Sequence, residues 1–269
     1  MKIALCAVEP AEVLRHFVAR HEQSLRAAGV EIAVVVLDED VAKTQHAFSH
    51  ALKVARRQAR VSGCSTLAAA ARLVFWKFVN RLAGPAPSVS DLPQLSPSLH
   101  VVRVPSLNSP AAITAIRSAG AELVCLMQTR FLNARTLVAL STEVINLHTS
   151  DPRFMRGGPA IVWEILDDRE EIIMTIHKAT EVLDGGDILL QRPQPIVFRA
   201  SLGATLAQTW ATALPAMADL VFDVIVGVKN GTLTPQSFVP GPLRATPSVE
   251  NVLRAWRKCL LARQQRGKK

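Results

Sequence analysis

Apolar, β-branched runs of strand length occupy residues 2–8 and 31–37, and between them residues 11–28 carry Val13, Leu14, Phe17, Val18 and Leu25 at helical spacing. The chain therefore opens as a βαβ unit. Residues 40–83 hold few breakers and predict two helices separated near Ser62-Gly63, after which residues 84–98 pack four prolines into a loop. This whole stretch, 40–98, reads as an insertion between strands. The alternation then resumes with a strand at 100–104, a helix from Ser109-Pro110 to about Ala119, a strand at 122–127, a helix at 133–140 and a strand at 144–147. Strands spaced by helices of this length form a parallel sheet. Residues 159–166 predict another helix, and the strands at 171–177 and 188–195 should pair antiparallel across a loop that holds Asp184. Residues 201–230 form a long apolar helical pattern that Pro215 should kink or split. An extended, Pro-rich stretch and a short basic helix at 249–263 close the chain.

The fold class is thus α/β, a Rossmann-like, mostly parallel sheet flanked by helices. A catalytic domain is expected over 1–197, with the helical and Pro-rich insertion inside it, and a helical C-terminal extension with a basic tail over 198–269. No GxGxxG follows the first strand, where Glu9-Pro10-Ala11-Glu12 stands, so a dinucleotide site there has no support.

Composition changes the picture in three places. Four cysteines, Cys6, Cys64, Cys125 and Cys259, are scattered without a CxxC pair, which argues against a zinc site or a disulfide framework and fits a reducing cytoplasm. The first residues read as a buried strand and not as a signal peptide, and no run is expected to reach membrane-spanning length. The net charge of +9 is concentrated at Lys53, Arg56, Arg57 and Arg60 and in the tail from Arg254 to Lys269. Such clusters suit an anionic partner, although a solvated helix face is their commoner role. The second helix of the insertion is apolar with Arg72, Lys77 and Arg81 at its border; it should cap the core, with a membrane surface or a second subunit, giving a homodimer, as the other readings.

The chemistry gathers between residues 143 and 191. Asn146 and His148 are two apart at the end of a strand, so both side chains leave on one face, at the carboxyl edge where open α/β sheets bind ligands. An amide donates to a developing oxyanion without titrating. An imidazole titrates near neutrality and relays a proton. Asp184, in a Gly-rich loop, can orient His148 or a water, or take a proton from an attacking amine. There is no GxSxG, no suitably placed Cys and no HExxH, which disfavours a covalent hydrolase or a metalloprotease, and no metal is expected.

Asn146-Leu147-His148-Thr149-Ser150, then Arg156-Gly157, then Thr175-Ile176-His177 and Leu183-Asp184-Gly185-Gly186-Asp187-Ile188-Leu189, resemble the motifs of the 10-formyltetrahydrofolate-dependent formyltransferases, which act on glycinamide ribonucleotide, methionyl-tRNA or amino sugars. The resemblance implies that Asn146, His148 and Asp184 are the catalytic trio. It also implies that Arg130, Phe131 and Leu132, with Thr180, Glu181, Val182 and Leu183, line the pocket for the formyl donor, 10-formyltetrahydrofolate. Ser150, Asp151, Arg153, Arg156 and Gly157 fall on the acceptor side, where Asp151-Pro152-Arg153 replaces the family's usual Leu-Leu-Pro. The tRNA-directed members carry a β-barrel after the catalytic domain, whereas a helical pattern dominates here. A small-molecule amine, such as an amino sugar or a secondary-metabolite amine, is therefore the expected acceptor and nucleic acid is disfavoured. A formyltetrahydrofolate hydrolase, a tRNA-directed formyltransferase and a non-catalytic folate-binding module are the alternatives.

Overall fold

The computed structural model describes residues 1–39, 47–82 and 91–266. Part of the expected proline loop, 83–90, and the tail lysines Lys268 and Lys269 lie outside the described residues. In chain order the elements are β1 (Lys2–Val8), α1 (Glu12–Ala27), β2 (Glu31–Asp38), α2 (Ala47–Ser62), α3 (Thr66–Leu82), β3 (Val101–Val104), α4 (Pro110–Ser118), β4 (Leu123–Met127), α5 (Ala134–Leu140), β5 (Glu143–His148), α6 (Ala160–Leu166), β6 (Glu171–Lys178), β7 (Ile188–Pro195), α7 (Leu202–Asn230) and α8 (Val249–Arg266).

The strands form one seven-stranded sheet in the order β3-β2-β1-β4-β5-β6-β7. From β3 to β5 the pairings are parallel, and β5 with β6 and β6 with β7 are antiparallel, as the loop length between the last two strands predicted. The central strand β4 is buried on both faces, so its residues are apolar without alternation, whereas the edge strand β3 exposes Arg103. Ile3, Leu5, Leu37 and Ile145 face a core completed by Phe17 of α1 and Met217 and Val221 of α7. Ala4, Cys6, Val36 and Val124 face a smaller one closed by Ile116 of α4 and Leu140 of α5. The long helix α7 thus packs into the same core as the first strand.

Local signals account for the boundaries. Ser109 caps α4 by accepting from the Ala112 N–H, with Pro110 in the first turn, and Asn133 and Ser201 cap α5 and α7 in the same way. Pro215 does not split α7, which runs unbroken for 29 residues. A proline inside a helix costs about 3 kcal/mol, and burying Leu214, Met217 and Ala218 around it more than offsets that.

A second expectation is corrected by the same helix. Among the described residues, α7 is long and apolar enough to cross a membrane by length and composition. Half of its most apolar stretch is buried inside the protein, and Asp219, midway along it, bonds Arg20 at 2.6 Å and His21 at 2.8 Å on α1. It is built as a core helix.

The insertion, α2 and α3, lies on the connection between the neighbouring strands β2 and β3. Phe75, Trp76 and Val79 of α3 pack against the larger core, so this helix does cap it.

Candidate active site

The last residues of β5 deliver Asn146 and His148 to the carboxyl edge of the sheet, beside the loop that follows β4. Opposite Asn146 in the ladder stands His177 of β6. The His177 Nδ1 is 2.8 Å from the Lys178 carbonyl, which can only accept, so that nitrogen carries the proton. In the neutral ring Nε2 then accepts from the Asn146 amide, 3.1 Å away. One backbone carbonyl therefore fixes the imidazole, and the imidazole fixes which way the amide points, leaving Asn146 with a second N–H for a ligand.

Asp184 comes from the loop between β6 and β7. Its carboxylate lies 3.8 Å from His148 Nδ1 and 3.6 Å from His177 Nε2, and it accepts from the Gly157 N–H at 3.0 Å. Burial alone would raise its pKa; the pull of the neighbouring His177 ring, the charge of His148 and the Gly157 N–H outweigh it and bring the carboxyl down to about 2. Burial pushes the His148 pKa below its ordinary value, against the opposing pull of Asp184. The resting ring is therefore neutral at neutral pH. His148 Nε2 is buried and, among the described residues, has no hydrogen-bond partner, an orphan that a bound ligand can satisfy.

The loop holding Asp184 needs its glycines. A Cβ on Gly186 would lie 2.1 Å from the Lys178 carbonyl oxygen, and one on Gly185 would lie 2.5 Å from Val182. Only a residue without a side chain at 186 can pass that close to the end of β6, and one at 185 lets the loop turn against its own Val182.

A cleft of about 390 Å³, open solvent at its mouth included, runs from Asn146 and Asp184 along the end of β4. Leu126, Phe131, Leu132 and Leu183 give it apolar walls, Thr129, Arg130 and Thr180 line its polar parts, and Asn146, His177 and Asp184 close its inner end. An apolar slot with a few convergent polar groups suits a flat heteroaromatic ligand. Of the residues expected there, Arg130, Phe131, Leu132, Thr180 and Leu183 line it. Val182 is half exposed, and Glu181 borders a neighbouring surface hollow with Thr180. Arg130 is held at 2.8 Å by Asp38, a buried carboxylate at the end of β2 that also accepts from the Leu107 N–H. Asn108 braces the same loop, donating to the Phe131 carbonyl and accepting from the Asn133 N–H.

On the acceptor side the arrangement differs from the expectation. Ser150 is fully buried and its hydroxyl donates to Glu164, a carboxylate whose pKa burial raises. Asp151 is buried too, and its carboxylate is occupied by Arg153 through three nitrogens at 2.6–3.0 Å. Neither offers a free polar atom to a ligand, because a buried oxygen takes a partner from the chain itself. Arg153 reaches the surface and also bonds Gln191. Arg156 donates to the Leu183 carbonyl at 3.0 Å and the Gly241 carbonyl at 2.7 Å, tying the Asp184 loop to the segment after α7. Gly157 acts through Asp184.

That segment was not anticipated as part of the site. Gly241 N–H bonds the Pro152 carbonyl, Arg156 N–H the Pro242 carbonyl and Arg244 N–H the Arg156 carbonyl, so residues 241–244 strap the loop that carries Gly157. His177 was legible in the Thr-x-His motif and as the cross-strand partner that an antiparallel β5-β6 pair requires. Asp38, Asn108 and the strap carry no local signal.

A family model described as formyl transferase matches residues 1–216. Among curated proteins, the chain is 26% identical over 156 residues to the methionyl-tRNA formyltransferase of Streptococcus gordonii, covering 58% of this chain and 49% of that one. It is 34% identical over 113 residues to the methionyl-tRNA formyltransferase of Treponema pallidum, covering 42% of this chain and 34% of that protein. The matches thus span half or less of those relatives' length. Among solved structures, a glycinamide ribonucleotide transformylase from Symbiobacterium toebii aligns over 90% of this chain and 92% of its own, with a TM-score of 0.55 at 15% identity. A sugar N-formyltransferase from a Shewanella species aligns over 95% of this chain and 88% of its own, with a TM-score of 0.53 at 14% identity. These two share the fold.

Proposed function

The chain belongs to the formyl transferase family, and we propose that it moves a formyl group from 10-formyltetrahydrofolate to the amine of a small molecule. The observation that carries this reading is that Asn146 and Asp184 close the inner end of a cleft with apolar walls, with His148 3.8 Å from the Asp184 carboxylate. Bound formyl-folate supplies the activated formyl group. The cleft walls, Arg130, Phe131, Leu132, Thr180 and Leu183, would hold the ring system, with the reacting carbonyl toward the trio.

The free N–H of Asn146 and an N–H of His148 stabilise the charge that develops on the carbonyl oxygen as the amine adds. His148 does this as a neutral ring, since burial keeps its pKa low. Asp184, ionised down to about pH 2, is too weak a base to deprotonate an amine before attack. Its role is to offset the positive charge on the attacking nitrogen and to hold His148 for the proton that nitrogen then loses, which passes to the departing N10 of the folate as its bond to the formyl carbon breaks.

A small acceptor is supported by the enclosure of the trio, with the Asp184 side chain 7% exposed and that of His148 12% exposed. A tRNA acceptor, which the names of the curated relatives state for those proteins, is the second reading. The test is incubation with 10-formyltetrahydrofolate and a panel of amines and amino sugars, following tetrahydrofolate release and product mass. An N-formyl product on a small amine is expected. Formate released at an unchanged rate without any amine would replace transfer by hydrolysis.

A further inference from the structure

The α2–α3 hairpin has a composition that neither the core nor the active site explains. Between Asp40 and Asp91 the chain has no Asp or Glu and eight Lys or Arg. On α2, Lys53, Arg56, Arg57 and Arg60 follow at i, i+3, i+4 and i+7, so they share one face, and all four are exposed, with Ala55 and Ala59 buried. On α3 the inward residues Phe75, Trp76 and Val79 meet the core. Its outer face carries an apolar row at the same helical spacing, Leu67, Ala71, Val74 and Phe78, of which Leu67 is 84%, Val74 69% and Phe78 57% exposed. Lys77 is exposed beside that row.

We infer that this hairpin docks the enzyme on an anionic lipid bilayer, with the α3 row entering the headgroup boundary and the α2 cations meeting lipid phosphates. The two halves of the pattern choose the occupant. A cationic row alone suits any polyanion, but a nucleic acid held by α2 would leave the aliphatic α3 row in water. A second copy of the chain would cover the row, but two hairpins bring fourteen cations together and no carboxylate of their own to meet them. A membrane with anionic headgroups satisfies both, as it does for surface-lying amphipathic helices.

The experiment is co-sedimentation of the full chain with phosphatidylcholine vesicles, alone or containing phosphatidylglycerol, at low and high salt. Retention only by the phosphatidylglycerol vesicles, released by salt, is expected. Each cation neutralised should weaken binding roughly fivefold, so the variant Lys53→Gln/Arg56→Gln loses well over tenfold. The variant Leu67→Ser/Val74→Ser/Phe78→Ser should lose at least as much while keeping the wild-type melting temperature and formyl transfer, because its positions face water and lie away from the site. Absence of binding to the anionic vesicles, or equal binding to both kinds, overturns the inference. So does unchanged vesicle binding by the serine variant, or a dimer in solution that this variant dissolves without any vesicle binding by the wild type. Transfer RNA added as competitor gives the remaining arm: RNA binding that survives the serine substitutions, without vesicle binding, makes the surface a polyanion site.

Discussion

Three nitrogen and oxygen groups meet at the candidate site, and each is set by a neighbour that can be named. Asn146 is oriented by His177, which is oriented by the Lys178 carbonyl. Removing one donor to a developing oxyanion costs about 3 kcal/mol, so Asn146→Ala and His148→Ala should each lower formyl transfer by roughly two to three orders of magnitude, read as turnover at saturating donor, with little change in melting temperature. Asp184 makes a second prediction through its depressed pKa. Because the folded chain holds the carboxyl at about 2 against an ordinary 3.8, the unfolded chain takes up this proton first. The resulting stabilisation, about 2 kcal/mol, is complete above the unfolded value and is lost as pH falls through the folded one. Denaturant titrations from pH 5 down to pH 2 should show the wild type losing this increment relative to Asp184→Asn. A gap between the two that stays constant over that window would mean the carboxylate is not held as the geometry has it.

At the scale of elements, the site depends on a loop, 152–158, pressed between two others. The Asp184 loop meets it from one side, and the strap at 241–244 from the other. Gly241 is where the fit is tightest, since a Cβ there would lie 2.4 Å from the Arg153 carbonyl oxygen. Gly241→Ala should therefore push the strap away, lowering stability by about 1–3 kcal/mol and, through Arg156 and Gly157, slowing transfer more than a stability loss of that size explains. Thermal melts paired with turnover below the transition check it. An enzyme destabilised but fully active when folded would show that the strap only supports the fold.

For the molecule as a whole, α7 links the end of the chain to its first strand through Met217, Val221 and Val224. Truncating such a side chain in a packed core typically costs about 2–5 kcal/mol. Met217→Ala should lower the denaturation midpoint accordingly and leave the KM for donor and amine unchanged, because the helix lies against the sheet and away from the cleft.

The sequence by itself determined the order of strands and helices, because strands buried on both faces are continuous apolar runs and helices carry their own caps at Ser109, Asn133 and Ser201. It also placed Asn146 and His148 together at one strand end, through a two-residue strand period, and marked the loop of Asp184 by the glycines that loop requires. Pro215 misled because a local penalty of backbone chemistry was set against a burial that only the packed core reveals. The acceptor side misled for a related reason. Ser150 and Asp151 look available in the chain, but whether a polar side chain meets solvent or a neighbour depends on what folds over it, and here Glu164, Arg153 and the strap do so. Contacts across such sequence distances, Asp38 with Arg130 and Gly241 with Pro152, leave no periodicity behind, and only the tertiary structure could decide them.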